Sequence, residues 1–172
     1  LDERSRAENE LKASLKNLRR SQSIARIGNW TLDLATNIFT ASEEGLRLFG
    51  IPNQASPPFD EIASLIDDAD RPRLRAVVSE SLKTGNPYRV EMLIRTRDTG
   101  EKRHILSIGE VERDENGSPV RITGLNLDIT ERKLSEIALR ESEELVRKKL
   151  DAILRPEGDI GTLSLSDVLD SR

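Results

Sequence analysis

The sequence predicts an α+β fold, in which one five-stranded antiparallel sheet carries short helices on one of its faces. Three observations lead to this prediction. Two short stretches of alternating apolar and polar residues lie near the start of the chain. Helix-forming segments with capping residues occupy residues 40–85. Three longer alternating stretches follow, separated by turn-forming residues. Strands that run in hairpins, with the helices segregated between them, are typical of this class.

The first segment of the chain is predicted to be a helix that precedes the domain. Leu11, Leu15 and Leu18 recur at spacings of four and three, and Gln22 and Ala25 continue the same stripe. Most of the other positions are charged or polar, so the apolar stripe is narrow. A narrow stripe suits the seam of a coiled coil. The alternative is a solvated helix that lies against its own domain.

Two short strands are predicted next. Trp30, Leu32 and Leu34 alternate with polar residues, as in a strand with one buried face. After a turn of small polar residues, Ile38 and Phe39 begin the second strand.

Three helices are predicted between these strands and the rest of the sheet. Thr40 and Glu43 form a capping-box pattern that begins the first helix. Apolar residues at helical spacing indicate a short second helix within residues 59–66. The third helix begins at Asp70, and Gly85 ends it.

The remaining strands are separated by strong turn signals, and they occupy residues 88–97, 103–111 and 118–129. Alternation gives each of the first two strands one set of residues on a common face: Val90, Met92 and Ile94 on the first, and His104, Leu106 and Ile108 on the second. On the last strand, Ile122, Gly124 and Asn126 share a face. These assignments define the candidate core and the candidate walls of any pocket.

A second long helix follows the last strand. Asp128 and Thr130 offer side chains that cap its start, and we predict that they relay a signal from the sheet into the helix. A heptad-like stripe runs along the helix and consists of Leu134, Ala138, Leu145 and Ala152. The chain thus divides into an N-terminal helix at residues 1–25, a domain at 26–130, a signalling helix at 131–154 and a linker tail at 155–172.

Composition excludes several classes of function. The chain has no cysteine, which excludes disulfides, thiolate metal sites and cysteine nucleophiles. Its net charge of −4 argues against nucleic-acid binding, because phosphates require a basic surface. Charged residues make up 34 %, and no apolar run approaches the ~20 residues of a membrane span. We therefore expect a soluble segment with no membrane contact.

Candidate catalytic and metal-binding groups are few. Asp67, Asp68 and Asp70 lack the spacing of a calcium-binding loop, and capping of the following helix explains them more simply. His104 is the only histidine, and a lone histidine on a partly apolar strand is usually structural. Since no titratable groups converge, we predict no metal site, no catalytic residue and no enzymatic activity in this segment.

A series of short motifs occurs in a fixed order along the domain: GNWTLDL at 28–34, SEE at 42–44, LFGI at 48–51, DR at 70–71, GNPY at 85–88, DENG at 114–117 and GLNLDITERK at 124–133. In this order and spacing they resemble a PAS domain of the PAS fold-3-like subtype, common in microbial and archaeal sensor histidine kinases. The tail at 160–171 resembles the start of a PocR-type sensory domain. The resemblance implies a fragment of a larger, cytoplasmic signal-transduction protein.

The resemblance also implies a ligand pocket between the sheet and the helices. Its candidate residues are Phe39, Met92, Ile94, His104, Leu106, Ile108, Ile122 and Asn126. Asn126 is the expected polar group of the pocket. The alternative is that the apolar members simply fill the core, which makes the domain a ligand-free module for dimerisation or interaction. Under either interpretation, we expect a homodimer formed through the flanking helices.

The cofactor stays unknown at this stage. Flavin photochemistry of the light-sensing PAS type requires a reactive cysteine, which is missing. A haem-binding PAS domain is expected to hold its iron through a histidine on a helix, whereas His104 lies on a predicted strand. The sequence therefore predicts a sensor of a small molecule or of a partner, which signals through its C-terminal helix to an output domain.

Overall fold

The structure is a computed structural model that describes residues 2–155. Its elements, in chain order, are α1 (Glu3–Ala25), β1 (Ile27–Asp33), β2 (Phe39–Ala41), α2 (Glu43–Leu48), α3 (Phe59–Leu65), α4 (Arg71–Thr84), β3 (Tyr88–Arg95), β4 (Lys102–Arg113), β5 (Pro119–Asp128) and α5 (Thr130–Leu154). The predicted tail, with its resemblance to a PocR-type domain, lies almost entirely outside the described residues.

The strands form a single sheet in the order β2-β1-β5-β4-β3, and every neighbouring pair is antiparallel. The last strand of the chain, β5, therefore lies at the centre of the sheet between β1 and β4. The helices α2, α3 and α4 come between β2 and β3 in the sequence, as predicted. The α+β fold class is confirmed.

One face of the sheet packs against these helices, and we call it the inner face. Register places Trp30 opposite Gly124, Leu32 opposite Ile122 and Met92 opposite Ile105. The core formed on this face is completed by buried helix residues such as Leu46, Phe49, Ile62 and Leu74. Burial of this apolar surface is the main stabilising contribution to the fold.

The helix ends show where local sequence signals were correct and where they were not. Ser42, and not the predicted Thr40, caps α2, because its Oγ accepts from the Gly45 amide at 3.2 Å. Thr40 is unable to cap the helix since it lies within β2, paired with Thr31. At the other end of the helical region, Gly85 ends α4 in the left-handed conformation that glycine tolerates best (φ 75°).

The start of α4 is fixed by a contact with the sheet. Asp70 precedes the helix as predicted, but its side chain makes no capping hydrogen bond. Its Oδ2 instead accepts from the Leu93 amide of β3 at 2.7 Å. Asp67 binds the same residue, because its amide donates to the Leu93 carbonyl at 2.8 Å. Both aspartates thus anchor α4 to the edge of the sheet.

Contacts along the chain divide it into two compact units, residues 1–130 and 131–172. In the first unit, α1 ends at Arg26, which adopts the left-handed conformation (φ 51°) and turns the chain into β1. Within the described residues, α1 has no buried residue, and Leu11 and Leu18 are more than half exposed. None of the helices in residues 2–155 is both long and apolar enough to span a membrane.

In the second unit, α5 is a helix whose described residues are almost all exposed. Its exposed apolar side chains include Leu134, Leu145, Val146, Leu150 and Ile153. Arg132 and Lys133 both form ion pairs with Glu136 in the first two turns. Such exposed pairs contribute only a few tenths of a kcal/mol each.

Candidate functional site

A cavity of about 260 Å³ lies between the inner face of the sheet and the helices α3 and α4. Four of the eight residues that the sequence proposed for a pocket line this cavity: Phe39, Met92, Ile122 and Asn126. They come from three strands of the sheet, β2, β3 and β5, and the pairing of β1 with β5 brings Asn126 next to the first strand. The cavity is therefore a partly open space on the inner face of the sheet.

The other four predicted residues do not line the cavity. Leu106 pairs with Glu91 and Leu127, whereas Met92 pairs with Ile105. Register therefore places His104, Leu106 and Ile108 on the outer face of the sheet, and their assignment to the pocket is corrected. Ile94 does face inward and is fully buried, but it lies beyond the cavity.

The floor of the cavity depends on two facing glycines. Gly109 of β4 and Gly124 of β5 are opposite each other in the sheet. A Cβ atom on Gly109 would lie 2.4 Å from Cε1 of Tyr88. A Cβ atom on Gly124 would lie 2.0 Å from the Ile108 carbonyl oxygen and 2.8 Å from Cζ2 of Trp30. The missing side chains thus leave room for two aromatic rings on the floor.

Tyr88 is a polar group of the cavity wall that already has a protein partner. Burial raises the pKa of Tyr88 to about 12, and a hydrogen bond with the Ser107 side chain acts in the opposite direction. The phenol is therefore uncharged at neutral pH. Ser107 faces inward because it pairs with Asn126 and Val90 across the sheet.

Trp30 and Asn126 hold the buried polar atoms of this wall that lack a partner. Among the described residues, neither Nε1 of Trp30 nor Oδ1 of Asn126 has a hydrogen-bond partner. The two residues are only 7 % and 2 % exposed, so bulk water does not compensate for the missing bonds. Buried polar groups in native proteins are nearly always satisfied, so the two atoms make this cavity a candidate binding site.

Arg71 lines the cavity as well, but its guanidinium is committed to the helices. Its Nε donates to the carbonyls of Ala63 and Ile66 at 3.0 and 3.1 Å. Its Nη1 lies 2.8 Å from a carboxylate oxygen of Asp68. Arg71 therefore links the end of α3 to the start of α4 and forms part of the cavity wall.

The junction between β5 and α5 is held by a compact set of polar contacts, which we call the Asp128 junction (Arg26, His104, Asp128, Ile129 and Thr130). Oδ1 of Asp128 accepts from the amide of Thr130 at 2.9 Å and from its hydroxyl at 2.5 Å. Oδ2 of Asp128 accepts from Nη1 of Arg26 at 3.2 Å. The carboxylate thus binds both the residue that ends α1 and the residue that begins α5.

Backbone contacts extend the Asp128 junction to the neighbouring strands. The Asp128 amide donates to the Arg26 carbonyl at 3.0 Å, and the Ile129 amide donates to the His104 carbonyl at 2.9 Å. The His104 amide in turn donates to Oγ1 of Thr130 at 3.0 Å. The Asp128 side chain is only 4 % exposed, whereas the side chain of its partner Arg26 is 68 % exposed. His104 therefore takes part in the junction through its backbone.

A second, larger groove of about 710 Å³ lies between α1, the β1–β2 hairpin and α2. Its walls are largely charged and polar surface residues, of which Arg47 pairs with Glu43 and Glu44 at 3.1 Å. No group of three or more histidine, aspartate or glutamate side chains within residues 2–155 is arranged to hold a metal ion. The cavity under α3 and α4 is thus the stronger candidate site.

Most residues of the cavity wall were not proposed from the sequence, among them Trp30, Tyr88 and Ser107. Trp30 and Tyr88 looked like ordinary core residues of alternating strands. Ser107 was overlooked because the apolar residues of β4 at positions 104–108 favoured the opposite face. The pairing of β1 and β4 with β5 identifies Trp30 and Ser107, and the pairing of β3 with β4 identifies Tyr88. No single strand encodes these pairings.

The chain thus combines an antiparallel five-stranded sheet, a cavity between this sheet and its helices, and a central strand that leads into a long helix. The PAS fold family matches residues 38–126, which is more than half of the chain. The chain belongs to the PAS fold family. The resemblance seen in the sequence motifs is confirmed.

Known proteins agree with this assignment. A solved structure of a sensory box histidine kinase/response regulator from Burkholderia thailandensis is 31 % identical, with a TM-score of 0.65, and the match covers 76 % of this chain and 98 % of that one. The blue-light-activated histidine kinase of Brucella anthropi is 31 % identical over 66 % of this chain. The sensor protein FixL of Bradyrhizobium diazoefficiens is 30 % identical over 74 % of this chain.

The match covers 22 % of the Brucella protein and 25 % of the Bradyrhizobium protein, and the chain spans a quarter or less of each curated relative it matches. The likeness is therefore to the sensory part of these proteins. The chain is a PAS sensory module of the kind that occurs in signal-transduction proteins, and the PAS domain itself is non-catalytic.

Proposed function

We propose that this PAS domain binds a small molecule in the cavity under α3 and α4, and that it relays occupancy through β5 into α5. One observation carries the proposal: a single strand connects the two sites. Asn126 of β5 lines the cavity, and two residues later Asp128 of the same strand binds the first residue of α5. A displacement of Asn126 along the strand therefore acts directly on the Asp128 junction.

The position of β5 in the sheet supports such a relay. It is hydrogen-bonded to β1 on one side and to β4 on the other. The Asp128 junction contains residues that flank or belong to both of these strands, Arg26 before β1 and His104 in β4. A change in strand position at the cavity thus alters several contacts at the start of α5 together.

Thermodynamics sets the requirement for signalling. A ligand shifts the equilibrium between two arrangements of the junction only by as much as its affinities for the two arrangements differ. A shift of tenfold corresponds to about 1.4 kcal/mol, which is comparable to the contribution of one or two buried hydrogen bonds. The Asp128 junction has enough such bonds to support a relay of this size.

The identity of the relatives supports a wider proposal for the whole protein. They include a blue-light-activated histidine kinase and a probable diguanylate cyclase. We place this module upstream of an output domain of that general kind, in a cytoplasmic protein. The exposed apolar residues of α1 and α5 support a homodimer in which these helices pair.

A cavity-filling substitution tests the proposed ligand site. Val78 of α4 lines the cavity, whereas Ala76 of the same helix is exposed. In native mass spectrometry of the purified chain, we expect wild type and Ala76→Phe to carry a bound small molecule, and Val78→Phe to have lost it. A molecule that stays bound to Val78→Phe contradicts the assignment of the cavity.

The relay is tested separately by hydrogen exchange. Removal of the bound molecule by partial unfolding and refolding is expected to change the exchange of the Thr130 amide and of the first turn of α5. The exposed Asp114–Gly117 turn at the far end of β5 provides an internal control that keeps its rate. Equal exchange at Thr130 with and without the molecule contradicts the relay.

A second candidate function is a ligand-free module that dimerises and transmits through its helices. The exposed stripe of Leu11, Leu15 and Leu18 on α1 favours it, because such a stripe needs a partner to be buried. A wild-type chain that is dimeric and carries no small molecule would support this function over ligand binding.

A further inference from the structure

We infer that the ligand of this cavity is a small, uncharged, planar molecule with a hydrogen-bond acceptor and an adjacent donor, as in a bicyclic lactam. This inference rests on the proposed function and names the chemical class that the cavity recognises. Two atoms carry it: Nε1 of Trp30, which donates, and Oδ1 of Asn126, which accepts.

The first step is the energetic cost of these two atoms. A buried donor or acceptor without a partner destabilises the folded protein, because it has lost its hydrogen bonds to water and gained none in return. Within the described part of the chain, both atoms lack a protein partner, and both residues are more than nine-tenths buried. Both residues line the same cavity. A molecule in that cavity is therefore positioned to supply both missing bonds.

The second step is the proximity of the two groups. Trp30 of β1 is directly opposite Gly124, and Asn126 is two residues further along β5. Such diagonal neighbours are typically about 7–8 Å apart. The indole edge that includes Cζ2 lies over Gly124, and Nε1 belongs to this edge. The indole N–H thus lies on the β5 side of the ring, within reach of a molecule that also contacts Asn126.

The third step concerns charge. The other polar groups of the inner wall are already paired, Tyr88 with Ser107 and Arg71 with three backbone carbonyls and Asp68. Arg75 also lines the cavity, but it is exposed. A charged group deep in the cavity would be costly without a paired counter-charge. This arrangement favours an uncharged ligand.

The fourth step concerns size and shape. At about 260 Å³ the cavity lies below the ~300–1,000 Å³ typical of pockets for drug-sized ligands. Aromatic rings form part of its wall: Trp30 and Phe39 are stacked with centroids 5.8 Å apart, and Phe39 meets Phe49 edge-on at 6.3 Å. A flat ring system of about two fused rings suits these walls, because aromatic pairs gain energy from stacking.

A lactam matches both atoms at once. Its carbonyl oxygen accepts from the indole N–H of Trp30, and its N–H donates to the amide oxygen of Asn126. An amide side chain also offers an N–H₂ donor beside its oxygen, so Asn126 is able to form a second bond to the same lactam group. Neither a purely apolar molecule nor one with an acceptor alone satisfies both residues.

The test compares four bicyclic probes of similar size: 2-quinolinone with acceptor and donor, quinoline with an acceptor alone, naphthalene with neither, and the anion 2-naphthoate. Binding to the full 172-residue chain, after removal of any copurified molecule, is measured by calorimetry. We expect 2-quinolinone to bind roughly tenfold tighter than naphthalene, with quinoline between them, as one or two hydrogen bonds predict.

A structural readout accompanies the affinities. Trp30 is the only tryptophan of the chain, so its indole N–H gives a single side-chain signal in a nitrogen–proton correlation spectrum. We expect 2-quinolinone and quinoline to move this signal downfield, and naphthalene to move it far less. Asn126→Leu should remove the preference for 2-quinolinone over quinoline, whereas Asn53→Leu on the exposed loop should preserve it.

The outcomes separate this inference from the proposed function. Equal affinity for naphthalene and 2-quinolinone overturns the inference, and so does tighter binding of 2-naphthoate, which would indicate an anion site. If none of the probes binds while native mass spectrometry finds another molecule in the cavity, the lactam class is wrong and the ligand site stands. If no probe binds and no molecule is found, both the lactam inference and the proposed ligand site are wrong.

Discussion

At the scale of single residues, Gly109 and Gly124 determine the shape of the cavity floor. They face each other on the two central strands, and their missing side chains admit the rings of Tyr88 and Trp30. A glycine inside a strand costs stability through backbone entropy, so its presence at two facing positions indicates a close approach. Here the approaching groups are aromatic rings that form the cavity floor.

The first prediction concerns Gly109. The Gly109→Ala variant places a Cβ atom 2.4 Å from the Tyr88 ring, which must then move. We expect a loss of about 1–3 kcal/mol in the free energy of unfolding, the usual effect of overpacking. Urea denaturation measures it, with the exposed neighbour Glu110→Ala as the control. Equal stabilities of the two variants would show that the ring is not confined by this glycine.

The second prediction concerns pH. Tyr88 is the only tyrosine, so absorbance at alkaline pH follows its ionisation alone. We expect a pKa of about 12 in the folded protein, above the unfolded value of 10.0, because of burial. The folded state therefore holds this proton more tightly, and its contribution is complete below pH 10.0 and is lost as pH rises towards 12.

The corresponding loss of stability is up to about 3 kcal/mol, given 1.36 kcal/mol per pKa unit. Because lysines also titrate in this range, the measurement is the difference between wild type and Tyr88→Phe in unfolding free energy as a function of pH. The phenylalanine variant should lack the extra decline. Parallel curves for the two proteins would refute the buried phenol.

At the scale of elements, alternation and capping residues predicted every helix and strand of the described chain to within a few residues. They did not assign the faces of β4. Its apolar residues Leu106 and Ile108 lie on the outer face. Ser107 and Gly109 face inward, and their cross-strand partners are Asn126 and Tyr88. Hydrophobicity selects the wrong face here, because a cavity wall needs small and polar residues where a filled core needs large apolar ones.

The candidate site was predictable only in part for the same reason. Phe39, Met92, Ile122 and Asn126 were proposed from strand alternation together with the resemblance to ligand-binding PAS domains, which selected the face of β5 that includes Asn126. The role of Trp30 depends on the strand order, which brings β1 beside β5 although 85 residues or more separate them in sequence. Long-range pairing of this kind is decided by the whole sheet and leaves no local signal.

The third prediction addresses the Asp128 junction. Thr130→Val removes the hydroxyl that accepts from the His104 amide and donates to Asp128. We expect a loss of about 0.5–2 kcal/mol, as for other capping residues, and faster hydrogen exchange at the His104 amide. Thr130→Ser retains the hydroxyl and should restore both properties. If valine and serine give the same exchange rate at His104, the hydroxyl has no part in the junction.

At the scale of the whole molecule, the chain combines one packed unit with exposed apolar side chains on its flanking helices. Leu15 of α1 and Leu145 of α5 are about half exposed, although both belong to regular stripes. A stripe of this kind on a single helix gains little until it is covered by a partner. Self-association through the helices is the simplest way to bury it.

The fourth prediction is that the chain forms a dimer that depends on α1. Leu15→Glu introduces a charge into the stripe and should weaken association by tenfold or more, since a buried unpaired charge is costly. Ser14→Glu adds the same charge beside the stripe and should leave association nearly unchanged. Sedimentation equilibrium measures both. A monomeric wild type, or an unaffected Leu15→Glu dimer, argues against pairing through α1.

The Asp128 junction also determines how the unit would respond to mechanical tension. The chain enters the sheet after Arg26 and leaves it at Asp128, so both attachment points lie at the same end of the β1–β5 pair, where Ile27 is opposite Leu127. A force applied through these two points would separate β1 from β5 one hydrogen bond at a time, starting at that end. Thermal unfolding would require the whole core to come apart. Tension, in contrast, would break only a few hydrogen bonds between β1 and β5 before the strands separated at Asn126 and Trp30.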